Sequence, residues 1–473
     1  MDKVFIVDLD GCLSKSDILE ESLIVNLIRN PFKIFLLMSA LLKGKVFFKR
    51  TVYRMFGFDP SSLSYDQRVI EMCKKKREQG YRVVLCTGSL HEIAIKIQEY
   101  LGIFDDVVGT DKVNNTGSEK VKTIQRKYPD AYVEYIGNSQ DDIPLFEAFN
   151  SSFLINYKEK TLRSIKGKSV TVIGSPVCTF KNYFKMLRPH QWSKNVLAFV
   201  ALISSHSYFY FDNILFSFSA FFCLSLCASS HYIVNDILDI VSDRQHETKR
   251  YREIPAGNVS LLVAMLLSFI LMLVSLCVSY FINVTFFMSI LAYLVITNIY
   301  SFVLKRELIL DVVCLAILFT IRVVSGALAI DVDISPWLLS TSFFFFFSLA
   351  LLKRKIELCN KAKHFNNDES INGRAYQTKD IPVVNSLGIS SGITSCLVFA
   401  LFISTNPYGY YSDAGEMILW FIIPAVLYWV SYIWILSERS YIDEDPIKFA
   451  IRDRTSLKIL LTVFVLFILA GSL

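Results

Sequence analysis

Acidic and amide side chains recur in the stretch HYIVNDILDIVSDRQHETKRYR (231–252), which lies between two apolar runs. On an α-helix of 3.6 residues per turn, Asn235, Asp236, Asp239 and Asp243 fall within an arc of about 100°. Three carboxylates this close repel one another unless a cation lies between them. Oxygen ligands of this kind suit Mg²⁺ that also binds substrate phosphates, so the spacing predicts a magnesium site for a phosphorylated substrate.

The apolar runs around this motif indicate a membrane protein. Hydrophobic residues make up 53% of the 473 residues, more than soluble proteins usually carry. Because a membrane span needs about 20 mostly apolar residues, we predict nine spans, the first interrupted by Ser204, Ser205 and His206. The predicted spans are 195–211, 213–234, 259–280, 284–303, 309–330, 334–352, 384–404, 415–436 and 456–473. Charges at a membrane boundary are costly, which favours a functional acidic face over a solvated helix end.

Lysine and arginine are distributed unevenly among the connections between these spans. Four connections contain neither residue: 204–213, 281–284, 331–335 and 405–414. The alternate connections contain four, two, seven and four of them: 236–258, 304–308, 353–383 and 437–455. Because basic loops face the cytoplasm, we predict a multi-pass protein of the inner membrane, with a cytoplasmic N-terminal domain and an external C-terminus.

The cysteine pattern and the net charge argue against two other classes of protein. The ten cysteines form no CxxC pair, and several lie inside apolar runs. We therefore expect neither a disulfide framework nor a zinc site. The net charge of +6 is modest for a chain of this length, so we expect no nucleic-acid partner.

The acidic motif and five other segments of the chain resemble a known family. NDILDIVSD (235–243) is similar to the NDxxDxxxD motif of the UbiA superfamily of intramembrane prenyltransferases, whose members have nine spans and a cytoplasm-facing site. The further segments resemble the branch called decaprenyl-phosphate phosphoribosyltransferases, and the resemblance covers residues 181–473. These segments are RPHQWSKN (188–195), DRQHETKRYREIPAG (243–257), YSFVLKRELILD (300–311), LLKRKIEL (351–358) and DPIKFAIRDR (445–454).

This resemblance implies a transfer reaction at C1 of a ribose. The donor would be phosphoribosyl pyrophosphate, the acceptor a polyprenyl phosphate, and the cofactor Mg²⁺ at the departing diphosphate. The resemblance assigns Asp236, Asp239 and Asp243 to catalysis and to the metal. It assigns substrate binding to Arg188, Lys194, Asn235, Lys249, Arg252, Tyr300 and Lys305. Arg322 lies inside a predicted span and should face the polar cavity. For each single lysine or arginine, a role as a membrane-boundary anchor is left open.

Two departures from the family pattern affect the donor site. The second aspartate-rich motif of relatives that use polyprenyl diphosphate is missing, since the 353–383 connection offers only the scattered Asp368, Glu369 and Asp380. This favours one metal-bound diphosphate met by basic residues. Glu247 and Glu253 stand where this branch is expected to carry proline, and they reduce the local positive charge.

A second group of motifs lies in the first 157 residues. VFIVDLDGCL (4–13) is an apolar strand pattern that ends in two acids and a glycine. Together with three later segments it resembles, in order and spacing, the haloacid-dehalogenase-like (HAD) phosphatases, which implies an α/β Rossmann-like domain. The later segments are VVLCTGS (83–89), GSEK (117–120) and YIGNSQDDIPLF (135–146).

The HAD resemblance assigns roles residue by residue. Asp8 would attack phosphorus, while Asp10 would protonate the leaving oxygen and then activate water. Thr87 and Lys120 would bind the phosphoryl oxygens. A second Mg²⁺ would be held by Asp8, the Asp10 carbonyl group, Asn138 and Asp142. Many family members have aspartate where this chain has Asn138, so this metal site carries one less negative charge.

A helical insertion is predicted at about 14–75, between the first two strands of the HAD-like domain. Its most apolar run, IFLLMSALL (34–42), is too short to span a membrane. Four basic residues follow this run: Lys43, Lys45, Lys49 and Arg50. We interpret the insertion as a small cap that lies in the membrane interface, in preference to a cap that only packs on the domain.

We therefore predict a HAD-like phosphatase domain at 1–157, a basic linker at 158–187 and a UbiA-like domain of nine helices at 188–473. The membrane domain would make polyprenyl-phosphoryl ribose 5-phosphate, and the phosphatase would convert it to polyprenyl-phosphoryl ribose for cell-envelope biosynthesis. One alternative is an aromatic or quinone-type prenyltransferase that uses polyprenyl diphosphate. Another is a lipid-phosphate carrier with a regulatory domain. A homo-oligomer is left open.

Overall fold

The chain folds into two compact units. The computed structural model describes residues 2–56, 58–111, 113–149, 151–165, 169–362, 375–405, 411–442 and 445–472. The first unit combines Met1–Arg188 with Tyr232–Phe269, and the second combines Pro189–His231 with Ile270–Leu473. The domain boundaries expected from the sequence at 157 and 188 stay predictions. Asp368 and Glu369, in the connection singled out above, lie outside the described residues.

A six-stranded, fully parallel sheet forms the centre of the first unit. Its strands are β1 (Lys3–Val7), β2 (Arg82–Leu90), β3 (Asp106–Thr110), β4 (Tyr132–Gly137), β5 (Ser151–Ile155) and β6 (Val170–Ile173). The strand order is β3-β2-β1-β4-β5-β6, so β1 pairs with β2 on one side and β4 on the other. This α/β arrangement is the one that the HAD resemblance implies.

Both faces of the sheet are covered, which explains why β1 is apolar throughout. Val4 and Ile6 belong to one hydrophobic core, whereas Phe5 and Val7 belong to the other. A strand buried on both faces reads as a continuous hydrophobic run. The helices in this part of the chain are α1 (Ile18–Arg29), α2 (Ile34–Leu42), α3 (Lys45–Phe56), α4 (Gln67–Glu78), α5 (His91–Leu101), α6 (Ser118–Lys127), α7 (Ile143–Ala148), α8 (Glu159–Ser164) and α9 (Phe180–Met186).

The rest of the described chain is mainly helical. Its helices are α10 (Val200–Ser204), α11 (Phe211–Leu238), α12 (Ile240–Gln245), α13 (Leu261–Ile282), α14 (Val284–Phe302), α15 (Leu310–Ala329), α16 (Pro336–Ala362), α17 (Ile381–Thr405), α18 (Asp413–Trp420), α19 (Ile422–Glu438), α20 (Pro446–Arg452) and α21 (Arg454–Ser472). Over the described residues, eight helical segments are long and apolar enough to cross a membrane, with α18 and α19 counted together. Each overlaps one of the predicted spans, and the protein is therefore a multi-pass membrane protein.

The first predicted span, 195–211, is not confirmed. A 3₁₀ helix covers Pro189–Phe199, α10 has only five residues, and His206 then adopts a left-handed φ of 53°. None of these pieces approaches the length of about 20 residues that a span requires. Ala198 packs directly on Gly326 of α15, where an added Cβ would lie 1.9 Å from the Ala198 carbonyl oxygen. This close backbone approach holds the segment as an irregular layer against α15.

Candidate active sites

The carboxyl ends of β1, β2 and β4 bring the HAD motifs together. Asp8 follows the last residue of β1, Thr87 lies near the end of β2, and Asn138 follows β4. Because these three strands are parallel neighbours, their ends lie along one edge of the sheet. A cavity of about 690 Å³ at this edge is lined by Asp8 and Asp10 among other residues.

Asp8 belongs to a buried hydrogen-bonded chain. Lys120 Nζ donates to Asp8 Oδ1 at 2.7 Å and to the Tyr135 hydroxyl at 3.0 Å, and that hydroxyl donates to Asp142 Oδ1 at 2.5 Å. Burial raises the pKa of the Asp8 carboxyl, and the Lys120 ammonium opposes that rise. Burial alone would lower the pKa of Lys120, but the Asp8 and Asp142 carboxylates hold it above its usual range. Lys120 therefore stays charged beside the expected nucleophile.

Asp10 is held by the end of β2 and the start of α1. Its Oδ2 accepts hydrogen bonds from the Ser89 hydroxyl at 2.7 Å and the Thr87 hydroxyl at 3.3 Å, while Oδ1 accepts from the Ile18 amide at 3.0 Å. The Thr87 hydroxyl in turn accepts from the Ser89 amide at 2.9 Å. Ser89 was not predicted as a site residue, although its position two residues after Thr87 at a strand end was an available signal.

The oxygen atoms at this edge fit a magnesium ion. Asn138 Oδ1 is buried and accepts no hydrogen bond from the part of the chain that the structure describes. The side-chain amide of Asn138 lies against Gly11 (φ 74°), where an added Cβ would lie 2.0 Å from Asn138 Nδ2. A buried oxygen without a donor is a suitable ligand for a hard cation. Asp142 differs, because its Oδ2 already accepts hydrogen bonds from the backbone amides of Asn138 and Ser139 and from the Ser139 hydroxyl, at 2.9–3.0 Å. Its role as a direct ligand stays a prediction.

The acidic motif of the membrane half does not lie on one continuous helix. α11 ends at Leu238 and α12 begins at Ile240, so the chain breaks its helical path at Asp239. Asp236 and Asp243 are 5% and 3% exposed, whereas Asp239 is exposed. The break therefore separates the three predicted carboxylates into a buried pair and one at the surface.

Three basic side chains surround the buried pair. Arg252 Nη1 donates to Asp236 Oδ1 at 3.2 Å and to Asp243 Oδ2 at 2.8 Å. Arg188 pairs with Asp236, at 2.5 Å between Nη2 and Oδ2, and Lys249 Nζ lies 3.5 Å from Asp243 Oδ1. The structure thus brings together five residues that the sequence assigned to one site.

The carboxylate oxygens of this cluster also permit a cation to bind there. Asp236 and Asp243 already share the single guanidinium of Arg252, so they lie close enough to share one positive centre. Among the described residues, no three His, Cys, Asp or Glu side chains are grouped to hold a metal ion by themselves. A metal at this cluster would therefore need oxygen atoms from substrate or water, as Mg²⁺ commonly does.

Four other predicted binding residues lie in the second unit: Lys194, Tyr300, Lys305 and Arg322. Arg322 is buried on α15, where Nε donates to Asn195 Oδ1 at 2.9 Å and Nη2 donates to the Tyr293 hydroxyl at 3.0 Å. Tyr300 lies near the end of α14, and Lys305 lies in the turn that follows it. Their roles at a substrate stay predictions.

Lys194 belongs to an ionic cluster that was not predicted. Asp445 Oδ2 lies 3.7 Å from Lys194 Nζ and 3.0 Å from Lys353 Nζ. Burial lowers the pKa of Lys194 to about 8. Although burial alone would raise it, Lys353 and Lys194 lower the pKa of Asp445 to about 2. The three groups therefore depend on one another for their charged states.

A buried ion pair inside the helical unit was also missed from the sequence. Arg354 on α16 lies 2.7 Å from Asp311 on α15, and both side chains are fully buried. The Tyr376 hydroxyl donates to Asp311 Oδ1 at 2.6 Å and accepts from the Ile309 amide at 3.1 Å. Both charged residues lie in segments quoted for the family resemblance, which was the available signal.

Comparison with known proteins agrees with both parts of the fold. The UbiA prenyltransferase family model matches residues 196–468, and the haloacid dehalogenase-like hydrolase model matches residues 5–147. These matches define a membrane transferase with an N-terminal hydrolase domain, and they confirm both resemblances drawn from the motifs. The chain belongs to the UbiA prenyltransferase family and is an enzyme that also carries a HAD-like phosphatase domain.

The similar proteins include one that matches nearly the whole chain. An uncharacterized protein, y4nM, of Sinorhizobium fredii is 32% identical over 95% of this chain and 88% of its own length. Decaprenyl-phosphate phosphoribosyltransferase of Mycolicibacterium smegmatis is 34% identical over 39% of this chain and 59% of its own length. A UbiA homolog from Archaeoglobus fulgidus, solved with GPP and Mg²⁺, aligns at 16% identity and a TM-score of 0.46, covering 60% of this chain and 99% of that one.

The unpartnered oxygen of Asn138 leads to a prediction about metal affinity. We expect Asn138→Asp to lower, and Asn138→Leu to raise, the Mg²⁺ concentration for half-maximal hydrolysis of p-nitrophenyl phosphate, by about tenfold each. Mg²⁺-dependent shifts of the thermal midpoint should follow the same order. Gln140→Glu is the matched control, because it adds the same charge two residues away. An equal decrease in the half-maximal Mg²⁺ concentration for Gln140→Glu would contradict direct ligation of the metal by residue 138.

The Asp445 cluster leads to a prediction about stability. A carboxyl whose pKa falls from 3.8 to about 2 on folding stabilises the protein above pH 3.8, and this contribution is lost as the pH falls through 2. We expect Asp445→Asn to reduce the free energy of unfolding at pH 7 by about 2 kcal/mol, measured as a lower thermal midpoint in detergent. Asp413→Asn, at an exposed helix start, should change the midpoint little. Equal midpoints for the two variants would contradict this account.

Proposed function

We propose that the membrane half transfers 5-phosphoribosyl from phosphoribosyl pyrophosphate to a polyprenyl phosphate, and that the HAD-like half then removes the 5-phosphate. The observation that carries the transfer proposal is the cluster in which Asp236 and Asp243 share Arg252. Two carboxylates and three cations (Arg188, Lys249 and Arg252) leave this cluster with one excess positive charge. That balance suits a donor with several phosphate groups.

The transfer step needs positioning more than acid–base catalysis. An oxygen of the lipid phosphate forms a bond to C1 of the ribose as the bond from C1 to the diphosphate oxygen breaks, and the diphosphate leaves with the electron pair. The acceptor is already anionic, so no strong base is required. Arg188, Lys249 and Arg252 would bind the donor phosphates, and Asp236 and Asp243 would hold Mg²⁺. When bound, the ion supplies positive charge at the departing diphosphate.

The hydrolysis step follows from the buried chain around Asp8. Asp8 attacks the 5-phosphate phosphorus, the phosphorus–oxygen bond to the sugar breaks, and Asp10 gives a proton to the sugar oxygen. Asp10 then takes a proton from the water that attacks the aspartyl phosphate, which releases inorganic phosphate and restores Asp8. Lys120 balances the charge beside Asp8 throughout. Asn138 and Asp8 would hold a second Mg²⁺, which neutralises phosphoryl charge when bound.

The membrane arrangement we propose places both steps at the cytoplasmic side of the inner membrane. The basic connections support this orientation through the positive-inside rule. The α2 face supports contact of the HAD-like half with lipid, since Phe35 is 72% exposed and Leu42 is 90% exposed. Lys33 and Lys43 flank this helix and could bind lipid head groups. The residues between β1 and β2 would thus act as an interfacial cap.

Labelled phosphoribosyl pyrophosphate, Mg²⁺ and a polyprenyl phosphate test the two steps together. The full-length protein should form polyprenyl-phosphoryl ribose, detected by mass spectrometry of extracted lipid. Asp8→Asn should accumulate the 5-phosphorylated lipid instead, because only the second step loses its nucleophile. Asp236→Asn should reduce total labelled lipid by roughly a hundredfold.

Two exposed aspartates provide matched controls. Asp2→Asn and Asp212→Asn remove a carboxylate from the same two parts of the chain and should leave both products unchanged. Transfer from labelled polyprenyl diphosphate to an aromatic acceptor, with no lipid product from phosphoribosyl pyrophosphate, would support the prenyltransferase alternative and overturn the proposal. An Asp8→Asn protein that still releases the 5-phosphate would overturn the second step.

A further inference from the structure

The hydrolase cavity is lined by residues from beyond the HAD-like match. The match ends at residue 147, yet the cavity beside Asp8 is also lined by Lys158, Lys160 and residues of the segment Gly257–Leu261. Gly257–Leu261 follows the acidic motif and lies within the UbiA match. A segment of the transferase sequence thus forms a wall of the phosphatase cavity.

Several hydrogen bonds hold this wall in place. The Cys178 amide donates to the Asn258 carbonyl at 2.9 Å, and the Ser260 hydroxyl donates to Glu20 Oε1 at 2.8 Å. Arg244 Nε donates to the Pro255 carbonyl at 3.1 Å, while its two terminal nitrogens each lie 2.8 Å from a different carboxylate oxygen of Glu21. The wall is therefore a built part of the cavity.

Gly257 allows the wall to approach the loop that follows Asp10. Its φ of 73° lies in the left-handed region, and an added Cβ would lie 2.7 Å from Lys15 Cβ and 3.0 Å from the Lys15 carbonyl carbon. Only glycine combines this conformation with this contact. The close approach places Lys15 beside the wall, at the cavity.

Three lysines that line the cavity have no anionic partner among the described residues. The side chains of Lys15, Lys158 and Lys160 form no ion pair or hydrogen bond with any residue in the described ranges. Of the acids that share the cavity, Glu20 accepts from Ser260, and Asp17 accepts from the Glu20 amide at 2.9 Å. Lys120, in contrast, is committed to Asp8. The cavity therefore offers three ammonium groups that are not paired with a carboxylate, although the carboxylates of Asp17, Glu20 and Asp141 also line it.

We propose that these three lysines and the Gly257–Leu261 wall bind a second anionic group of the substrate. The substrate class is a sugar phosphomonoester that carries a further phosphate or phosphodiester on the same sugar. This inference rests on the proposed function, in which the ribose carries a phosphodiester at C1 and the scissile phosphate at C5. The phosphatase cavity would thereby bind the lipid product of the transferase partly through residues 257–261, which belong to the transferase sequence.

Hydrolysis of two soluble probes by the full-length protein tests this proposal. We expect kcat/KM for phosphate release from ribose 1,5-bisphosphate to exceed that from ribose 5-phosphate. The double variant Lys158→Ala/Lys160→Ala should reduce this ratio by about tenfold, through a higher KM for the bisphosphate, because charge-assisted contacts to the second phosphate are lost. Gly257→Ala, which pushes the wall away from Lys15, should reduce the ratio in the same direction.

The control removes equal charge elsewhere on the same unit. Lys74→Ala/Lys75→Ala changes two exposed lysines on α4 and should leave the ratio unchanged. Thermal midpoints equal to that of the unsubstituted protein show that a changed ratio is not caused by unfolding. Equal kcat/KM for the two probes, unaffected by either lysine variant, would overturn this inference while the lipid assay with Asp8→Asn could still support the proposed function. Continued 5-phosphate release by Asp8→Asn in that lipid assay would overturn the hydrolysis step of the proposed function itself.

Discussion

The buried pair between Arg244 and Glu21 is the interaction on which the first unit depends. Both terminal nitrogens of Arg244 contact the Glu21 carboxylate, and the same guanidinium donates to the Ser62 and Pro255 carbonyl groups. A buried carboxylate left without its partner costs several kcal/mol. Separation of α1, which carries Glu21, from α12, which carries Arg244, is therefore strongly disfavoured. Asp243 belongs to the buried acidic pair of the proposed transferase site. Arg244, the next residue, binds Glu21 and the Pro255 carbonyl beside the wall of the phosphatase cavity, so adjacent residues serve the two sites.

Much of the phosphatase site could be predicted because strand ends are a local property of the sequence. An apolar run that stops at Asp8 identifies both a buried strand and its carboxyl end, and the parallel sheet then brings Asp10, Thr87 and Asn138 to one edge. Tyr135 could not be predicted in this way. Its hydroxyl links Lys120 to Asp142 only because of the register of β4 against β1, which no local pattern of residues reveals.

The membrane half shows the same division between local and distant information. Hydrophobic length is local, and eight of the predicted spans correspond to helices. The stretch 195–211 has the required composition, but Ala198 packs on Gly326, 128 positions away, and the segment forms short helical pieces. The buried pair of Asp311 and Arg354 likewise joins two helices. The sequence places Asp311 at the start of a predicted span and Arg354 in a predicted connection, and neither position reveals the pairing.

The acidic motif was expected to need a metal because three carboxylates on one helical face repel one another. The helix break at Asp239 removes part of that repulsion by exposing one of the three. The remaining pair is compensated by guanidinium groups from Arg188 and Arg252, residues that the sequence assigned to the substrate instead. A buried carboxylate pair requires positive charge whatever its source. Arg188 and Arg252 can therefore exchange Asp236 and Asp243 for the phosphates of an anionic donor that brings its own cation, since that cation then replaces the guanidinium groups at the two carboxylates.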